Sequence, residues 1–234
     1  RDMRGAAAAV ARIMAQPIIP CALEFMDHAA IGAIRDYADT ALPENAGAIL
    51  MIEVDGPESQ IALSAEAVSR AARGDGLLAI EVAHDAADAE RLWRTRKALS
   101  PALRNIAPKK INEDVVVPVS RIPALIDGLR ELGERHGIRI ANFGHAGNGN
   151  IHVNLLVDPD DPLQMQAAEK CLDEVFKLVL ELEGTISGEH GVGLVKREFV
   201  SREIDPVTLG LMRRIKQQFD PNGILNLGKG LPLA

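Results

Sequence analysis

A glycine-rich hairpin constrains the fold of this chain more than any other feature of its sequence. Residues 138–143 and 151–157 are apolar and flank the sequence GHAGNGN, which predicts two antiparallel strands joined by a tight turn. Such a hairpin brings His145 beside His152, and the alternation of side chains along a strand places Asn154 on the same face as His152. Two imidazoles and an amide can therefore converge on one point. The alternative is a turn that carries two incidental histidines.

Single predicted strands alternate with helices along the rest of the chain. Strands are predicted at residues 18–25, 48–54, 77–83 and 114–119. Helices are predicted at the start of the chain and at residues 28–40, 59–73, 86–99, 122–136, 163–182 and 206–219. Asp27 is the predicted N-cap of the helix 28–40, and Asp85 is that of the helix 86–99. Residues 101–108 and 223–234 are predicted to be irregular. This order predicts an α+β fold, in which a mainly antiparallel sheet with ferredoxin-like half-repeats is covered by helices on one face.

Composition and charge narrow the classes of protein to which the chain can belong. Its formal net charge of −7 argues against binding to nucleic acid or to an anionic membrane surface. No apolar run reaches the roughly 18 residues that a membrane span needs. Cys21 and Cys171 lie in apolar surroundings, so we expect two buried thiols in a reducing compartment and a cytoplasmic protein. Because the chain begins with Arg1, we expect it to be a fragment that a further N-terminal part precedes.

A second glycine-rich segment, SGEHGVG at residues 187–193, adds an acid and a third imidazole. Glu189 and His190 are adjacent, so on extended or irregular chain their side chains point to different sides. One of them can ligate a metal while the other stays free as a base. Two histidines and one carboxylate are a familiar donor set for zinc, manganese or ferrous iron. The alternative is a solvated Glu–His pair in a turn that leads into a helix.

Three further residues are candidates for binding an anion. Arg96 and Ser100 lie one turn apart on a predicted helix, where the guanidinium could form a bidentate bond with a carboxylate. A surface arginine is the interpretation that the sequence alone favours. Lys110 precedes the predicted strand 114–119 and could also meet an anion, although a solvated lysine is the simpler interpretation.

The order of these motifs resembles the C-terminal, substrate-binding domain of the FAD-linked oxidase family, whose members include D-lactate dehydrogenases, the glycolate oxidase catalytic subunit and D-2-hydroxyglutarate dehydrogenases. The resemblance covers nearly the whole chain and is carried by ALEFMD, LMIEVDG, LWRTRK, NEDVVVP, GHAGNGNIHVN, SGEHGVG and FDPNGILN. The pair GHxGxGNxH and SGEHG is its most specific part. Asn148 and Leu227 depart from the family pattern, which has Asp and Pro there, and the family lysine does not align cleanly with Lys110.

The resemblance implies a role for each candidate residue. Three would hold a divalent metal (zinc, manganese or iron), namely His145, His152 and Glu189. Four would bind the substrate, namely Arg96, Ser100, Asn154 and Lys110. His190 would be the general base.

The resemblance also implies an activity and partners. Residues 1–234 would form one domain of a protein that oxidises D-lactate, glycolate or D-2-hydroxyglutarate. The hydride would pass to FAD in the protein's own N-terminal domain outside this chain, so we expect the chain alone to be inactive. Three further properties stay open: an electron-acceptor partner, a homodimer, and peripheral membrane association through parts of the protein outside this chain. Two rival functions also stay open: a metal-dependent hydrolase, and a non-catalytic module that binds small acids.

Overall fold

A five-stranded antiparallel sheet forms the centre of the structure, a computed structural model that describes residues 1–37 and 42–232. Its strands are β1 (Ala22–Asp27), β2 (Ala48–Glu53), β3 (Lys109–Val116), β4 (Arg139–His145) and β5 (Asn150–Val157). Their order across the sheet is β2-β1-β4-β5-β3. The helices of the described residues are α1 (Met3–Met14), α2 (His28–Tyr37), α3 (Glu58–Ala72), α4 (Ala86–Lys97), α5 (Leu99–Ile106), α6 (Ile122–His136), α7 (Pro162–Glu181), α8 (Val200–Glu203) and α9 (Pro206–Phe219).

Helices cover apolar residues on both faces of the sheet. On one face, a cluster that includes Phe25, Val153 and Leu155 packs against α1, α3, α6 and α7. On the opposite face, Met26 and Phe143 pack against α2 and α5. The predicted antiparallel sheet with helices is therefore confirmed, and α2 and α5 add a partial second layer to the single layer that the sequence predicts.

The connections around β5 follow the path of a ferredoxin-like unit. The elements β3, α6, β4, β5 and α7 are consecutive in the chain, and β5 lies between β3 and β4 in the sheet. The strands β3 and β4 are thus parallel to each other with α6 as their crossover, as in a β-α-β-β-α segment of that fold. The other half of the sheet differs, because β1 and β2 are direct neighbours connected through α2.

Local signals determine several helix ends as predicted. Helix α6 has the predicted bounds and ends at Gly137, whose φ of +65° is the left-handed conformation of a C-cap. The side chains of Asp27 and Asp85 accept hydrogen bonds from the N–H groups of Ala30 and Asp88 at the starts of α2 and α4. The predicted end of α2 at residue 40 lies outside the described residues. In the part of the chain that the structure describes, no helix has the length and apolar character for a membrane crossing.

Four predictions of secondary structure are wrong. The strand predicted at residues 114–119 is β3, which begins at Lys109 and ends at Val116, because its pairing with β5 extends over the polar residues before Asp114. Residues 77–83 are irregular rather than a strand, because neither edge strand of the sheet, β2 or β3, pairs with them and propensity alone does not make a strand. Residues 101–106 are helical rather than irregular, because α5 includes Pro101 in its first turn, where a missing N–H costs no hydrogen bond. The first strand begins at Ala22 rather than at residue 18, since Pro20 cannot donate to a neighbouring strand.

The two cysteines differ in exposure. Cys171 is buried in α7 as predicted, but the prediction of a buried Cys21 is wrong. Cys21 lies just before β1, at the end of the sheet, where its Sγ is 3.4 Å from the carbonyl oxygen of Glu53. Apolar neighbours in the sequence do not bury a side chain that precedes the first paired residue of a strand.

The turn that joins β4 to β5 should tolerate no side chain at Gly149. An added Cβ would lie 1.9 Å from the carbonyl oxygen of Val117, whereas Gly137, also left-handed, has nothing within 4 Å. We expect Gly137→Ala to cost about 1 kcal/mol of unfolding free energy from backbone strain. Gly149→Ala should cost about 1–3 kcal/mol more because of the clash. Urea unfolding followed by circular dichroism measures the unfolding free energy of both variants. Equal losses in the two would contradict the predicted clash at Gly149.

Candidate metal and substrate site

Three side chains that can ligate a metal meet at one end of β4 and β5. The Nε2 atoms of His145 and His152 lie 3.5 and 3.4 Å from Oε1 of Glu189. One ligand atom from each of the three residues lies within 4.8 Å of the other two. Two imidazole nitrogens and one carboxylate oxygen fit a divalent metal and leave coordination positions open. The structure thus brings together the three residues named as metal ligands from the sequence.

The pairing of β4 with β5 sets the two imidazoles side by side. Phe143 is the partner of His152 in the strand register, so His145, two residues after Phe143, projects from the same face as His152. The ring centroids of His145 and His152 are 5.3 Å apart, with the rings edge to face. The turn between the strands is short because Gly149 adopts a φ of +81°.

Asp114 of β3 fixes the irregular segment that carries Glu189 and His190. Its Oδ2 accepts hydrogen bonds from the backbone N–H groups of both residues, and its carbonyl oxygen accepts one from the N–H of Gly188. Asp114 is fully buried and is paired with His152 in the strand register. A buried carboxylate on the sheet therefore orders the segment next to the imidazoles.

Lys196 provides the charge partner of Asp114. Its Nζ lies 2.5 Å from Oδ1 of Asp114 and 3.4 Å from Oε2 of Glu113, and only 3% of its side chain is exposed. Burial opposes the ionisation of Asp114, but hydrogen bonds from Lys196 and the two backbone N–H groups outweigh it and lower the pKa of Asp114 to about 2. Asp114 is therefore a carboxylate at neutral pH.

His190 stands beside the three metal-ligand candidates. Its ring stacks on the ring of His152, with centroids 5.3 Å apart and planes 17° from parallel. Its Nδ1 lies 3.4 Å from Oδ1 of Asp114, and 43% of its side chain is exposed. Nδ1 thus faces a carboxylate, and Nε2 is the other ring nitrogen that can exchange a proton.

Glu24 of β1 connects His145 to Arg96. One oxygen of its carboxylate accepts a hydrogen bond from Nδ1 of His145, and the other accepts one of 2.8 Å from Nε of Arg96. Burial disfavours the charge of Glu24, but the hydrogen bonds from Arg96 and His145 outweigh it and hold its pKa below its ordinary value. The Arg96 guanidinium also lies 4.8 Å over the ring of Phe143. Since only 20% of its side chain is exposed, Arg96 is not the surface arginine that the sequence alone favours.

The environment of His152 favours a neutral ring. Burial, followed by the nearby charge of His145, lowers the pKa of His152 to about 4. His152 is therefore a neutral imidazole at pH 7, which is the form that binds metal ions.

Two predicted substrate residues lie at the borders of this site. Ser100 is exposed on α5, one turn beyond Arg96. Lys110 lies on β3, two residues before Asn112 and therefore on the same face of the sheet. Burial lowers the pKa of Lys110 below its ordinary value. Neither residue is among the groups that contact the three metal-ligand candidates directly.

Asn154 lies in the floor of the site, with its amide committed to the chain itself. Its Nδ2 donates to the carbonyl oxygens of Ala141 and His152, each at 3.0 Å. Its Oδ1 accepts a hydrogen bond of 2.7 Å from Nδ2 of Asn112. Since Asn154 is fully buried, a substrate can contact its amide only if the groups that cover it move.

Sequence reasoning missed four residues of the site, namely Glu24, Asp114, Lys196 and Asn112. Glu24 interrupts the apolar strand β1 with a charge, a pattern that marks a buried group with partners and could have identified this residue. Asp114 gives no such signal, because it follows Asn112 and Glu113 in a polar part of β3. Lys196 gives no such signal, because it lies in irregular chain and its burial depends on a strand distant in sequence.

His152 should titrate well below an ordinary histidine when no metal is added. Between pH about 6.5 and 4 the unfolded chain binds a proton at this ring and the folded chain does not, so its contribution to folding stability is lost as the pH falls through this window. The ¹⁵N shifts of its ring, followed by NMR, should change near pH 4. The same residue in urea-unfolded chain is the control, and a folded-state transition near 6.5 would contradict the prediction.

The Asp114–Lys196 pair should contribute far more stability than an exposed pair. Asp114→Asn leaves a buried ammonium without its closest counter-charge, which should cost about 3 kcal/mol or more of unfolding free energy. Asp127→Asn removes a 2.8 Å pair with Arg4, whose side chain is 79% exposed, and should cost much less, because water screens an exposed pair. Urea unfolding measures the unfolding free energy of both variants. Similar losses would contradict the prediction that the buried pair contributes more than the exposed one.

Comparison with known proteins relates this geometry to a family. A family model described as "FAD linked oxidases, C-terminal domain" matches residues 1–230. The chain is 35% identical over 228 residues to "Glycolate oxidase subunit GlcD" of Bacillus subtilis (strain 168), covering 97% of this chain and 48% of that protein. It is 34% identical over 224 residues to "D-lactate dehydrogenase" of Archaeoglobus fulgidus, covering 92% of this chain and 46% of that protein. The chain thus spans about half the length of these relatives.

The fold is also similar to that of a solved structure. A crystal structure of p-cresol methylhydroxylase with substrate bound superposes with a TM-score of 0.71, covering 99% of this chain and 51% of that chain at 13% identity. At this identity the similarity shows the fold alone. The match to the family model, by contrast, extends over almost every residue. The chain therefore belongs to the family of C-terminal domains of FAD-linked oxidases.

Proposed function

We propose that this chain is the metal- and substrate-binding part of a flavin-dependent dehydrogenase that oxidises D-2-hydroxy acids to 2-oxo acids. The observation that carries the proposal is the meeting of ligand atoms of His145, His152 and Glu189 within 4.8 Å, with His190 stacked beside them. The names of two relatives, a glycolate oxidase subunit and a D-lactate dehydrogenase, support a 2-hydroxy acid as the substrate class.

The proposed metal is zinc, manganese or ferrous iron, held by Nε2 of His145, Nε2 of His152 and a carboxylate oxygen of Glu189. When bound, such a metal supplies a Lewis acid, which can lower the pKa of a bound water from about 16 to about 7 and should act on a bound alcohol in the same sense. FAD, held by a part of the protein outside this chain, supplies the acceptor for the hydride that leaves C2 of the substrate.

Arg96 is the proposed partner of the substrate carboxylate. Its Nε donates to Glu24, so the two terminal nitrogens of the guanidinium are the donors that can meet a second carboxylate. Ser100, one turn further along the chain, can add a hydroxyl to the same contact. Lys110, on the same sheet face, is a candidate partner for the far end of a longer acid such as 2-hydroxyglutarate. Asn154 is the fourth proposed substrate residue, and its contact with substrate needs the groups that cover it to move.

His190 is the proposed general base. Its Nδ1 faces the ionised Asp114, so Nε2 can take the hydroxyl proton while the carboxylate stabilises the imidazolium that forms. Asp114 also holds the backbone of His190, which keeps the ring at the site. His190 would thus hold the hydroxyl proton while bound FAD would supply the acceptor for the hydride of C2, so that a 2-oxo acid would be the product.

Replacement of His190 should separate proton transfer from metal binding. In the flavin-loaded protein, His190→Gln should slow the reduction of FAD by D-lactate, glycolate or D-2-hydroxyglutarate by about 10²–10⁴-fold, because a positioned base is lost. Its zinc content should stay unchanged, whereas His145→Ala should lose zinc. Stopped-flow absorbance of the flavin and elemental analysis measure the two effects. His84→Gln, which alters an exposed histidine, is the matched control.

Three results would contradict the proposal. A His190→Gln protein that loses zinc as completely as His145→Ala would mean that His190 is a ligand rather than the base. Hydrolysis without any flavin reduction would favour the metal-dependent hydrolase. Sustained oxidation of a hydroxy acid by this chain alone, without FAD, would contradict the need for an external hydride acceptor.

A further inference from the structure

Both carboxylate oxygens of Glu24 are engaged, and they serve two different parts of the site. Oε1 accepts a hydrogen bond from His145 at the end of β4, and Oε2 accepts one from Arg96 in α4. Only 7% of the Glu24 side chain is exposed, so water can do little to replace either partner. One buried charge is therefore shared by the proposed metal ligand and the proposed substrate-binding residue.

The strand register keeps Glu24 within reach of both partners. Glu24 is paired with His145 between β1 and β4, and Met26 is paired with Phe143 in the same ladder. The guanidinium of Arg96 lies over the Phe143 ring. It is thus held at Nε by Glu24 and on one face by an aromatic ring, which leaves its two terminal nitrogens as donors for another acceptor.

The contact with Glu24 also selects the tautomer of His145. A carboxylate on Nδ1 favours the proton there, which leaves the lone pair on Nε2, the atom that faces Glu189. Carboxylate partners of this kind orient a ligating ring and raise its basicity. His152 has no such support, because its buried Nδ1 lacks a hydrogen-bond partner among the described residues. Of the two imidazoles, His145 is therefore the one whose ring is oriented by a carboxylate, whereas the ring of His152 is held by packing against Phe143 and His190.

We propose that Glu24 is a positioning residue that orients His145 and Arg96 together, so that metal binding and hydroxy-acid binding depend on one carboxylate. This inference rests on the proposed function, since it takes His145 as a metal ligand and Arg96 as a substrate residue. It requires the reach of the glutamate as well as its charge, because an aspartate is one methylene shorter and cannot contact both donors from the same backbone position.

Zinc titration of the chain tests the metal side of the proposal. Glu24→Gln and Glu24→Asp should both weaken zinc binding by about 10–100-fold, the usual effect of losing a carboxylate behind a ligating histidine. Arg96→Ala should leave zinc affinity unchanged or higher, because it removes a positive charge and leaves Glu24 on His145. Glu53→Gln is the matched control, since Glu53 is an exposed residue on the neighbouring strand β2. Isothermal titration calorimetry with zinc chloride measures all four variants.

NMR of the metal-free chain tests the two contacts of Glu24 directly, and the wild-type spectrum decides whether they form even if a variant does not fold. The ¹⁵N ring shifts of His145 should show a proton on Nδ1, and the Nε–H of Arg96 should give a resonance protected from exchange. Glu24→Asp should lose at least one of these signatures, while Glu53→Gln should keep both.

Four outcomes would overturn the inference. The first is wild-type zinc affinity in Glu24→Gln, and the second is wild-type zinc affinity in Glu24→Asp, since charge alone would then suffice. The third is a loss of zinc affinity in Arg96→Ala as large as that in Glu24→Gln. The fourth is a metal-free His145 that carries its proton on Nε2. Failure of the wild-type chain to bind zinc would instead contradict the proposed function. The NMR signatures would still decide whether Glu24 orients both residues.

Discussion

Backbone hydrogen bonds between β1, β4, β5 and β3 determine where the site stands. The register pairs Glu24 with His145, Phe143 with His152, and Asp114 with His152, so four polar side chains and one aromatic ring project from the same face of adjacent strands. A slip of one residue in any pair would turn its polar groups into the apolar cluster on the other face. The burial of that cluster, which includes Phe25 and Val153, therefore holds the polar groups in place.

Glu189 and His190 lie in irregular chain, so their positions depend on contacts with the sheet. Asp114 provides these contacts with one carboxylate, which accepts from the backbone of Glu189 and His190 while Lys196 balances its charge. Glu24 plays a similar part on the other side, between His145 and Arg96. Two buried carboxylates thus flank a neutral His152, and each is stabilised by a cation that also belongs to the site. This arrangement places the neutral imidazole of His152 near two cationic side chains, Arg96 and Lys196, which suits the anionic hydroxy acid that we propose as the substrate.

Local sequence was enough to predict the hairpin, the meeting of His145 and His152, and helices such as α6, because turn residues, strand alternation and caps act over a few residues. Glu189 and His190 were found through their glycine-rich surroundings. Lys196 and the double role of Glu24 could not be predicted, since they depend on which strands become neighbours, and that order is set by packing between distant segments. The erroneous strand at residues 77–83 has the same cause: its apolar pattern is local, whereas a strand also needs an edge with which to pair.

Two imidazoles and one carboxylate are proposed to form a single site for a divalent cation. X-ray absorption spectroscopy of the chain loaded with one equivalent of zinc tests this proposal. The zinc ion should have two imidazole nitrogens at about 2.0–2.1 Å and carboxylate or water oxygens as its other ligands. A spectrum dominated by sulfur, which would point to Cys21 or Cys171, or a spectrum without imidazole scattering would contradict it.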